Sequence, residues 1–276
     1  MKSVSEVSDI QKLGISREEP YDKIESCHLM SEVLEIDKGD IVFTPKLSEN
    51  HPAMTSLKTG KMMFTEKYFF DAREDSFYRF QTALVHEAAH KNDILRWEEE
   101  GVRGTDRFIK LFRFFTEGLA TQFDNRPGSY PEAKELFDRF YSSAYESEEE
   151  ISPGEILKEE FDDRKLLLGM FELEGENFYD FQILEESELS NYKGDIYSLA
   201  EENYSERYPD KDISIIEEDT ELISLEDDEY EILGQHYLDT YRDTREKIEK
   251  YLEVSRPFLE RYLNDEERFS EEIVNR

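Results

Sequence analysis

Beyond residue 75, apolar side chains recur at helical spacing. Phe80, Ala83, Leu84, Glu87, His90 and Ile94 share one face of a helix expected from Ser76, its cap, to about Trp97. Gly101 and Gly104 should close it. Thr105 should cap a second helix with Asp106 in its first turn, where the helix dipole favours an acid. That helix carries the stripe Phe108, Leu111, Phe112, Phe115, Leu119 and Phe123 and should end at Arg126-Pro127-Gly128. Further helices are expected near 131–147, 153–172 and 193–207, then a long one from about Leu225 to Val254. Pro257 should start a last helix, since proline suits the first helical position. Before residue 75 the pattern differs. Residues 1–35 read as an acidic lead-in with one or two short helices. Ile41-Val42-Phe43-Thr44 and Lys61-Met62-Met63-Phe64-Thr65 are short β-prone runs punctuated by Pro45, Pro52 and Gly60, which predicts two or three strands. The class is α+β: a small N-terminal sheet (1–75) packed on a mostly helical body (76–126 and 127–276), read as one domain.

Charge changes the picture more than composition does. The 276 residues carry 68 Asp plus Glu against 34 Lys plus Arg, a net charge of −34. Such a surface repels nucleic-acid phosphates and anionic membranes, so neither is an expected partner. The acidity is spread along the chain and resembles that of proteins adapted to high salt, where ions screen self-repulsion. Cys27 is the only cysteine, which excludes an intramolecular disulfide. No window reaches the apolar length of a membrane span, and Met1 to Glu19 lacks the apolar core of a secretory signal. The expectation is a soluble, cytoplasmic protein.

The chemistry is concentrated in His86-Glu87-Ala88-Ala89-His90. On a helix, positions i and i+4 lie one turn apart on the same face, so two imidazoles can share one zinc ion. Glu87, beside the first histidine, is then placed to accept a proton from the water that zinc activates. With five histidines in the chain, a chance match to this pattern is expected in roughly one such chain in a hundred. The small residues Ala83, Ala88 and Ala89 suit a buried helix at a metal. Zinc needs a third protein ligand. Asp93 and Arg96 stand where the metzincin extension has glycine and histidine, so that extension is absent. Glu117, in the otherwise apolar stretch Leu111 to Ala120, is the better third ligand, because a buried carboxylate needs a cation. Gly118 and Ala120 are expected to let the two helices approach. The result is a two-helix zinc site.

His86-Glu87-Ala88-Ala89-His90 followed by Glu117-Gly118-Leu119-Ala120 resembles the gluzincin clan of zinc metallopeptidases. The Glu-Gly-Leu-Ala form is most similar to a family of predicted zinc-dependent proteases in bacteria and archaea. The resemblance covers about Ser76 to Asp124, with weaker support at Tyr230-Glu231-Ile232-Leu233-Gly234-Gln235-His236-Tyr237. It implies a peptide or protein substrate, bound by edge pairing to the strand before the zinc helix, for which Lys61 to Phe70 is the candidate. It also implies an oxyanion donor, a tyrosine or histidine on a later element, with Tyr230, Tyr237, His236 and Tyr241 as candidates. A glycine within a helix marks close approach of another element, so Gly234 suggests that the C-terminal helix meets the zinc helix. Asp93, Thr121 and Asp124 are candidates to hold the second ring N–H of the histidines. Gly104-Thr105-Asp106 resembles the aspzincin motif only with its aspartate displaced. Glu25-Ser26-Cys27-His28 resembles the peptide deformylase cysteine motif, but Ala89 stands where that family carries an acid. The alternative to a peptidase is a non-catalytic protein, zinc-containing or metal-free, with a vestigial site.

Overall fold

The two apolar runs near the N-terminus do pair as strands. In this computed structural model the described residues are 2–3, 18–45, 47, 52–66, 76–100, 106–124, 131–146, 151–161, 164–173, 176–207 and 213–262. The expected turn at Gly101–Gly104, the Thr105 cap, the helix end at Arg126–Gly128 and most of the 147–151 connector lie outside them. Strands β2 (Ile41–Thr44) and β4 (Met62–Thr65) run parallel, with Ile41 opposite Met62 and Thr44 opposite Thr65. β3 (Ala53–Thr55) pairs antiparallel with β4, and β1 (Lys2–Ser3) antiparallel with β2. The order β1-β2-β4-β3 places β4 inside the sheet and β3 at its edge. This corrects the expectation that Lys61 to Phe70 offers a free edge: the part described, up to Glu66, has a neighbour on both sides.

The chain divides into two compact units, Met1–Gly104 with Leu119–Pro127 and Asp239–Arg276, and Thr105–Gly118 with Gly128–Leu238. In the first, the sheet packs on helix α2 (Ser76–Glu99) through Phe43, Phe64 and Phe80, whose rings follow one another at 6.1 and 5.6 Å. Helix α1 (Glu18–Val33) meets α2 where Gln81 Nε2 donates to Ser26 Oγ at 2.6 Å. The long C-terminal helix α8 (Asp227–Tyr262) lies antiparallel along α2. Near one end Tyr251 donates its hydroxyl to Gln81. Near the other, Asn92 donates to Asp243 and Thr244, both at 2.8 Å, and accepts from Lys247 at 2.7 Å.

The second unit holds most of helix α3 (Asp106–Ala120), then α4 (Pro131–Glu146) and α5 (Pro153–Glu160). It continues with β5 (Arg164–Leu173), β6 (Glu176–Glu185), α6 (Glu186–Asn191), α7 (Ile196–Arg207), β7 (Ile213–Ile215) and β8 (Glu221–Ile223). β5 and β6 pair antiparallel from Arg164 opposite Glu185 to Leu173 opposite Glu176, while β7 and β8 pair with β5. The interior is aromatic: Phe114, Phe115, Phe137, Phe161, Phe181 and Tyr237 form a chain of ring contacts. Two expectations fail here. The helix foreseen over 153–172 stops at Glu160, and its second half is strand β5. Pro257 does not start a helix; α8 continues through it. The α+β class holds, with a second sheet added. Among the described residues, no helix is long and apolar enough to cross a membrane.

Candidate metal centre

Helix α2 is enclosed on all sides from Gln81 to Ile94, which is why small alanines alternate there with polar groups. His86, Glu87 and His90 are 5%, 3% and 7% exposed. One helical turn brings the two imidazoles edge-on, 4.7 Å between centroids, with Nε2 of His90 3.0 Å from Nε2 of His86. Two nitrogens bound to one tetrahedral zinc at 2.0–2.1 Å would stand about 3.3 Å apart, so the pair is close to ligand spacing as it stands.

The other nitrogen of His86 faces a carboxylate. Nδ1 lies 2.9 Å from Oδ2 of Asp124, which is buried. A carboxylate there favours the proton on Nδ1 and leaves the Nε2 lone pair facing His90. Asp124 follows the end of α3, where Gln122 N donates to Leu119 O and Phe123 N to Ala120 O, carrying the helical turn onward. Phe123 stacks on Tyr241 of α8 at 5.4 Å.

Glu117 completes the donor set: one atom each from His86, His90 and Glu117 lie within 4.8 Å of one another. Two imidazoles and one carboxylate fit zinc by donor type, and they leave a tetrahedral ion one open position. Gly118 has a different reason from the one expected. A Cβ there would meet the ring of Phe137 at 2.3 Å, so the glycine makes room for α4.

The sequence motif did not reveal the groups around Glu87. Thr55, at the end of β3, donates from Oγ1 to Glu87 Oε2 at 2.8 Å and lies 3.2 Å from the Glu87 carbonyl. Lys91, buried, donates to Asp40 Oδ2 at 3.0 Å and to the Gly60 carbonyl at 2.7 Å. Gly60 has φ of 63°, in the left-handed region that glycine favours, and closes the turn between β3 and β4. Thr55 precedes Glu87 by 32 residues on a three-residue strand, and no local pattern marks it.

Three of the four candidate oxyanion donors, Tyr237, His236 and Tyr230, pack within the second unit. Tyr237 is fully buried, stacked on Phe115 at 5.1 Å and edge-on to Phe137, and its carbonyl accepts from the Tyr141 hydroxyl. His236 is buried edge-on to Tyr237, and Tyr230 packs on Phe161. Gly234 does mark a close approach, but to the start of α5. A Cβ on it would lie 2.5 Å from the Pro153 carbonyl oxygen, and one on Gly154 would lie 2.6 Å from Cα of Glu231. The two glycines let α5 and α8 cross, and the suggestion that Gly234 meets the zinc helix is corrected. No protein-family model, no curated protein and no solved structure matches the chain.

Proposed function

We propose that this chain is a zinc-dependent hydrolase acting on peptides, of gluzincin type. The observation that carries the reading is the facing pair of Nε2 atoms, 3.0 Å apart, with Glu117 beside them and Asp124 behind His86. His86, His90 and Glu117 would hold the metal. A bound zinc supplies a Lewis acid and a water of lowered pKa. With zinc bound, the Glu87 carboxylate would accept a proton from that water and pass it to the leaving amine. Asp124 keeps His86 in the ligating tautomer. β3 is the sheet edge among the described residues, and its Thr55 touches Glu87, so an extended peptide added along β3 would run beside the base. Tyr230, Tyr237, His236 and Tyr241 remain the donors to test for the oxyanion. Tyr241 is the one tied by contact to the residue preceding Asp124.

The test is hydrolysis of a mixed peptide pool by zinc-loaded protein, read by mass spectrometry against Glu87→Gln. Cleavage by the wild type alone supports the proposal. Full zinc loading without cleavage of any peptide favours the non-catalytic alternative.

A further inference from the structure

Glu87 is 3% exposed, and among the described residues its only hydrogen-bond partner outside its own helix is Thr55. A buried carboxylate with a single donor is held by that donor. We propose that Thr55 is a positioning residue for Glu87, an inference that rests on the function proposed above. The hydroxyl proton occupies Oε2 and leaves Oε1 as the oxygen available to accept a proton.

The donor is itself held in place. Thr55 ends β3, and its neighbours in register are fixed, Thr55 opposite Met62 and Ala53 opposite Phe64. The turn joining the two strands is held to α2 by the Lys91 ammonium, which donates to the Gly60 carbonyl and also to Asp40, just before β2. Strand, turn and helix thus form a closed frame in which the Thr55–Glu87 contact is one side and the Lys91–Gly60 contact the other. Because β3 is the sheet edge among the described residues, the base is coupled to the backbone on which a peptide would dock.

The experiment compares Thr55→Val, which keeps the shape and suits a strand, Thr55→Ala, which removes the same hydroxyl, and Thr55→Ser, which keeps it. Zinc content and thermal midpoint are measured for each. The expectation is that Val and Ala lower kcat by roughly ten- to a hundredfold, the rate equivalent of a hydrogen bond to a charged group, with KM and zinc content unchanged and Ser restoring the rate. A second readout needs no turnover: the 13C resonance of the Glu87 carboxylate in metal-free protein, assigned by its loss in Glu87→Gln. It should move in Val and Ala and return in Ser. An unmoved resonance, or a kcat for Val and Ala within about twofold of an active wild type, overturns the inference and leaves the proposed function standing. A zinc-loaded wild type that hydrolyses nothing overturns the function and the catalytic role of Thr55 with it, while the resonance still reports the contact.

Discussion

The two units bury opposite kinds of side chain. In the first, Asp22, Lys23, Glu87, Lys91, Asp93 and Asp124 are all buried. In the second, no Asp, Glu, Lys or Arg is buried among the described residues, and the interior is phenylalanine, tyrosine and leucine. Apolar rings need only to be removed from water and packed well. Buried charges cost free energy unless each finds a partner, and replacing them by apolar groups is often neutral or stabilising. A helix such as α2, which carries Gln81, His86, Glu87, His90, Lys91, Asn92 and Asp93 into an interior, is therefore poorly explained by stability alone. The difference teaches where to look for chemistry: in the unit whose core is harder to build.

The comparison makes graded predictions. The largest effect belongs to Glu87→Gln, which should keep zinc and lower turnover by about 10²–10⁴-fold, the range of a lost general base. Its thermal midpoint in the metal-free protein should hold or rise; a clear fall would mean that Glu87 is structural. Next comes Phe137→Ala in the aromatic interior. It should cost about 3–5 kcal/mol by chemical denaturation. A cost below about 1 kcal/mol would erase the contrast between the two cores. Smaller again, Asp124→Asn should weaken zinc binding by about 10–100-fold in a competition titration while leaving the fold intact.

The smallest effect is electrostatic. Burial pushes the Asp243 carboxyl up, but hydrogen bonds from Lys247 and Asn92 and the charges of Lys247 and Arg96 prevail and hold it below its ordinary value of 3.8. A carboxyl lowered by folding adds stability above its unfolded value, and that stability is lost as pH falls through the folded value. The gap in thermal midpoint between wild type and Asp243→Asn should thus be steady near neutral pH and close below about pH 4. A gap that persists unchanged into stronger acid would show that the contact of α8 with α2 does not depend on this charge.

Much of this was legible in the sequence where periodicity and chemistry coincide. Helices α2 and α3 follow from the apolar faces of their sequences, and His86 and His90 converge because four residues are nearly one turn. Legibility fails where long-range pairing decides. Arg164–Leu173 contains Lys, Leu, Met and Glu, good helix formers, and becomes a strand because it pairs along its whole length with Glu176–Glu185. Gly118 and Gly234 each mark a close approach, but a lone glycine does not say to what: the neighbours are Phe137 and Pro153, not the zinc helix expected for both. Thr55 was invisible because its role depends on a sheet register. Pro257 lies inside α8, where it removes one backbone donor from an exposed position of a helix whose other face is held by Ser255 and Leu259 in the interior.

The central claim is that His86, His90 and Glu117 hold zinc. The most direct measurement is the metal content of the purified chain after zinc loading and dialysis, alongside His86→Ala, His90→Ala and Glu117→Ala. The account predicts about one zinc per wild-type chain and a marked loss in all three variants. A wild type that retains less than about a tenth of a zinc per chain, or variants that retain as much as the wild type, would contradict it.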